Sequence, residues 1–89
     1  MALQIINAGP PAEEIAGRVH AAIAEKLPNA EILVEPKGPG HFEITVTDVA
    51  FEGLNRVKQQ QLVYGAITEL MAGQNPPVHA VDRLNCKTP

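Results

Sequence analysis

His41-Phe42-Glu43-Ile44-Thr45-Val46-Thr47-Asp48 decides how this chain folds. Apolar and polar residues alternate through it without a break. Phe42, Ile44 and Val46 fall on one side; His41, Glu43, Thr45 and Thr47 fall on the other. Successive side chains of an extended strand point to opposite faces, so this pattern reads as a strand with one face buried and one open. The same parity assigns His41 to the polar face. Just upstream, Pro36-Lys37-Gly38-Pro39-Gly40 leaves no room for a helix and reads as a turn. Before it, Ala30 to Glu35 reads as a second strand, so the two form an antiparallel hairpin.

Further out on the N-terminal side, Ile15, Val19, Ala22, Ile23 and Leu27 recur at helical spacing. Pro10 and Pro11 suit a helix start, Glu13 and Glu14 favour its dipole, and Pro28-Asn29 stops it. The first helix is expected over roughly 11–27. On the C-terminal side a bend centres on Gly53. A helical stretch follows from about Asn55 to Ala72, its stripe made by Val63, Ile67, Leu70 and Met71, with Tyr64 beside it. Gln59-Gln60-Gln61 interrupts that stripe, which predicts a short helical turn first and the main helix second. Val78 to Leu84 reads as a third strand. A strand reached through a helix usually returns parallel. The expected fold class is α+β, in the order α-β-β-α-α-β, a three-stranded mixed sheet with helices on one face.

The totals agree with one small domain. The chain has 89 residues, 45% of them apolar, with no tryptophan, one tyrosine and two phenylalanines, so its core is aliphatic. Residues 1–9 read as a loose tail and 10–89 as a single domain. The formal charge of −3 argues against a nucleic-acid binder that relies on bulk electrostatics. A single cysteine, Cys86, excludes an internal disulfide and a closed zinc set, and a reducing compartment is the natural reading. No apolar run reaches membrane-spanning length. The start of the chain has neither a basic stretch before its apolar patch nor an Arg-rich leader, and a bacterial cytoplasm is expected.

Catalytic patterns are missing. There is no Ser-His-Asp order, no paired buried carboxylates and no nucleotide fingerprint, so an enzyme is not expected. Pro36–Gly40 lacks the strand-turn-helix context of a phosphate loop. His79, flanked by Val78 and Ala80, faces outward on a regular strand; from spacing alone it is a strand histidine bonded to a neighbour. His41 opens a strand on its polar face. His20 lies at the edge of the first helix's stripe. Arg56 and Lys58 stand near a helix start, and with Lys37 and Arg83 they give at most weak DNA contact. The bend Gly53-Leu54-Asn55-Arg56 lacks the second glycine of a GXXG loop. A solvated face is the preferred reading.

The segment from Gly40 to Met71, followed by Val78-His79-Ala80-Val81 and a terminal Lys87-Thr88-Pro89, resembles the BolA family. The resemblance runs from about Glu13 to Pro89. It rests on the His-Phe opening of the second strand, the Phe-Glu-Gly bend, the Val-Tyr pair of the long helix and the Val-His-Ala of the third strand. Arg56-Val57-Lys58-Gln59-Gln60-Gln61 is closest to the acid-stress branch of that family. The resemblance implies a type II KH-like fold. It also implies a monothiol glutaredoxin partner and a [2Fe-2S] cluster held between the two proteins, with glutathione on the partner's side and none bound when this chain is alone. The family's ligand from the third strand corresponds to His79. A second ligand, Cys or His, comes from the family's hairpin loop, but Glu35–Gly40 holds neither, so only His41, at the loop's end, can substitute. Relative to the family, the third strand carries one extra residue between Val78-His79-Ala80-Val81 and Thr88-Pro89. Cys86 is a soft donor seven positions from His79, on the opposite face of an unbroken strand unless that residue forms a bulge. Its plainer reading is a free thiol near a frayed C-terminus. The expected function is an iron–sulfur adaptor in iron homeostasis and stress response. The alternative is a DNA-binding transcriptional regulator of stress and cell morphology. A homodimer is compatible with either.

Overall fold

A computed structural model describes residues 11–89. The expected tail at 1–9 and the helix-start role of Pro10 lie outside the described residues. The first helix, α1, runs Ala12–Lys26 and buries Ile15, Ala16, Val19 and Ile23. Pro11 stands at its N-cap without a side-chain bond, and its carbonyl accepts from the Glu14 and Ile15 amides.

Strand β1 spans Glu31–Gly38 and β2 spans His41–Thr47. They pair antiparallel, with Ile32 opposite Val46, Val34 opposite Ile44 and Pro36 opposite Phe42. The alternation read from β2 is met residue by residue: Phe42, Ile44 and Val46 are buried, and the residues between them are not. β1 continues past the expected end at Glu35 into Pro36-Lys37-Gly38, with an irregularity in the register at Lys37. The turn itself shrinks to Pro39-Gly40. Proline suits its first position, and Gly40 at φ +76° suits the second, where an L side chain is disfavoured.

After β2, a 3-10 turn at Val49–Phe51 buries Phe51. Helix α2 then runs Arg56–Ala66, with Asn55 capping it by accepting from the Lys58 amide. A second 3-10 turn covers Thr68–Met71. This corrects the expected order: the main helix comes first and the short turn second. Gln59, Gln60 and Gln61 lie inside α2, because glutamine is a good helix former and these three need no core contact. The Gln59 amide also donates to the Phe51 and Leu54 carbonyls, tying the preceding bend to the helix. The break comes at Ile67-Thr68, two adjacent β-branched residues, where the Thr68 hydroxyl donates to the Tyr64 carbonyl.

Strand β3 spans Ala80–Lys87 and pairs parallel to β2, so the sheet order is β1-β2-β3. Its register slips between Phe42 and Glu43: Val81 faces Phe42, but Arg83 faces Glu43, leaving Asp82 as the extra residue. α1 packs against β1 and α2 against β3. Ile15, Val19, Ile23, Val63 and Ile67 share one core with Phe42, Ile44 and Val46, so the helices cover a single face of the sheet. The described residues thus form an α+β fold with a three-stranded mixed sheet. No described helix is long and apolar enough to cross a membrane.

Candidate functional site

His79 is exposed and stands one residue before β3, not within it. Strand parity therefore does not orient it; its neighbours do. Val78 is fully buried and its amide donates to the Leu70 carbonyl. The His79 and Ala80 amides both donate to the Gly40 carbonyl, at 2.8 and 3.0 Å. Backbone bonds on both sides thus fix where the imidazole begins. The ring lies against the Cα of Gly40, close enough that a Cβ there would meet its Cγ at 2.7 Å.

This imidazole lines a cleft of about 890 Å³. Ile15 and Phe42 contribute apolar surface, while Pro39, Pro76 and Pro77 give stiff walls from two loops. Arg18 of α1 supplies a cation. An imidazole that shares a proline-walled cleft with a guanidinium can, in its neutral form, donate to a soft or borderline metal, and the cation can offset negative charge in that cleft. Arg18 and Gly40 were not singled out in sequence. Arg18 gives no signal there, since it looks like any solvated helix residue. Gly40 was legible only as a turn residue.

His41 takes no part in that lining. Its Nδ1 lies 2.9 Å from an Asp82 carboxylate oxygen, and both side chains are nearly half exposed, at 47% and 42%. Asp82 is the extra residue of β3, so the bulge sits beside the imidazole it meets. The two candidate histidines are near in the fold, since His41 registers with Ala80, yet they have different neighbours.

Cys86 is not frayed. It is paired with Val46 inside β3, and the bulge turns it toward the core. Burial pushes its thiol above the ordinary value, which disfavours the thiolate a metal needs. It stands six residues beyond Ala80, roughly 20 Å along an extended strand. The fold does not bring Cys86 to His79. Arg56 and Cys86 instead share a crevice of about 190 Å³ with Lys87, a cation sequence reading passed over. Lys58 is exposed in the first turn of α2, and exposed Lys37 sits at the hairpin end of the sheet. Among the described residues, no group of three or more His, Cys, Asp or Glu is arranged to hold a metal ion.

Comparison with known proteins gives a consistent answer. Residues 18–89 match the family described as BolA-like protein. BolA-like protein 1 from Bos taurus is 33% identical over 97 aligned positions, covering 94% of this chain and 69% of the relative. The acid stress protein IbaG from Escherichia coli strain K12 is 33% identical over 63 positions, covering 71% of each. Among solved structures, BolA1 from Arabidopsis thaliana superposes with a TM-score of 0.69 at 28% identity, covering 83% of this chain and 90% of that one. The BolA domain of SufE1 from the same plant gives 0.69 at 26% identity, covering 93% and 96%.

Proposed function

Because the chain belongs to the BolA-like protein family, we propose that it is an adaptor that docks on a monothiol glutaredoxin and holds or transfers a shared [2Fe-2S] cluster. The observation that carries this reading is His79. It is exposed, anchored by backbone bonds and set on a cleft with one cation. The donor set fits a shared cluster better than a metal held alone. This chain offers one well-placed imidazole, and no larger ligand group stands among the described residues. The remaining ligands would come from the partner's cysteine and its glutathione.

A histidine-ligated cluster supplies a raised reduction potential relative to an all-thiolate one. The chain's own part is to deliver a neutral imidazole, to keep it off the core, and to offset anionic charge through Arg18. A protonated imidazole has no lone pair to give, so acid weakens the complex. That suits a role under acid stress, the property printed in the name of the IbaG relative. The acting compartment on this reading is the cytoplasm.

The test is anaerobic reconstitution with a monothiol glutaredoxin and glutathione, followed by visible circular dichroism. Wild type should alter the glutaredoxin cluster's spectrum, and His79→Ala should remove that alteration. A wild-type spectrum identical to that of glutaredoxin alone would leave metal-free docking and the DNA-binding alternative.

A further inference from the structure

The loop before β2 offers no cysteine or histidine of its own, yet its Gly40 stands directly against the ring of the proposed ligand. A Cβ built on Gly40 would lie 2.7 Å from Cγ of His79 and 3.0 Å from both Cδ2 and Nδ1. Real Cβ atoms do not approach so closely, so the base of the ring fills space that only glycine leaves free. Nε2 and Cε1 are farther from that point than these three atoms. The same glycine holds φ +76° and accepts both the His79 and Ala80 amides.

We propose that Gly40 is the positioning residue for His79: its bare Cα seats the base of the imidazole and so presents Nε2, rather than Nδ1, as the nitrogen that ligates. The functional meaning rests on the shared-cluster reading above. Cγ moves only with χ1, so turning the ring about its own axis does not relieve contact with a new Cβ. Any side chain at position 40 must therefore swing the whole imidazole to another rotamer.

Gly38 gives the control. It also has a positive φ, +141°, but nothing lies within 4 Å of where its Cβ would stand. Gly38→Ala strains the hairpin without touching His79. Gly40→Asn tolerates the positive φ better than Gly40→Ala and still adds the Cβ. Two readouts apply. One is the imidazole nitrogen shifts of His79 in the chain alone, by long-range proton–nitrogen correlation. The other is cluster retention by the complex with monothiol glutaredoxin and glutathione. Both Gly40 variants should shift the ring signals and weaken cluster retention about tenfold or more, the usual effect of losing a supporting contact behind a metal ligand. Gly38→Ala should do neither. Wild-type ring signals in the Gly40 variants, or equal effects from Gly38→Ala, would overturn the proposal. If His79→Ala removes the spectral change but the Gly40 variants keep wild-type retention, the proposal alone fails. If His79→Ala changes nothing, the shared-cluster reading fails and takes this proposal with it.

Discussion

Proline and glycine precede His41, two prolines stand shortly before His79, and a strand follows each. Their rings nonetheless meet different neighbours. His41 faces the Asp82 carboxylate, while His79 lies on Gly40 beside the cleft. Local pattern could assign His41 a face because it sits in an alternating strand. It could not orient His79, which precedes its strand and takes its direction from a carbonyl 39 positions away in the chain. Cys86 shows the same limit. Its partner Val46 and its partial burial follow from a bulge, and they make it a poor nucleophile. Because burial raises the thiol, the neutral form is favoured in the fold. That stabilisation is full below the unfolded thiol's pKa and is lost as pH rises through the folded one. Unfolding followed by denaturant across the alkaline range should show a decline that Cys86→Ser reduces. Alkylation of Cys86 at neutral pH should be slower in the native chain than in the unfolded one.

At the scale of elements, β2 is the part that local pattern specifies best. It is central in the sheet, so both its ladders are filled and one face is wholly buried. Ile44 lies at its middle, with no exposure. Ile44→Ala should cost about 2–5 kcal/mol in chemical denaturation, through lost burial and the cavity left behind. Leu33 offers the contrast: it faces Thr45 on the open side and is 53% exposed. Leu33→Thr should stay within about 0.5 kcal/mol of wild type. α2 was harder to read. Only Val63 within it is buried, so its apolar stripe is thin and its glutamines looked like a break. What holds it there is the Asn55 cap, the Gln59 bonds to the bend and packing against β3, of which the last is not local.

For the whole molecule, charge and its distribution decide which partners fit. The net charge is −3, and several cations among the described residues lie in separate parts of the fold. Arg56 shares a crevice with Lys87, whereas Lys37 belongs to the hairpin and Arg18 to the cleft beside His79. Duplex DNA binding would need several phosphates neutralised together and would fall steeply with salt. Fluorescence anisotropy with a random duplex should therefore give flat curves at moderate salt. A salt-dependent affinity weakened equally by Arg56→Ala and Lys58→Ala would instead favour the DNA-binding alternative. Sequence alone determined the α1 stripe, the hairpin and its buried face, the third strand and the family, because each rests on local periodicity or contiguous motifs. Tertiary structure decided the order within the second helical stretch, the bulge at Asp82, the burial of Cys86 and the seating of His79 on Gly40. The last three depend on a partner distant in the chain, which no residue spacing encodes, and the helical order draws on the packing of α2 against β3 as well as on local bonds.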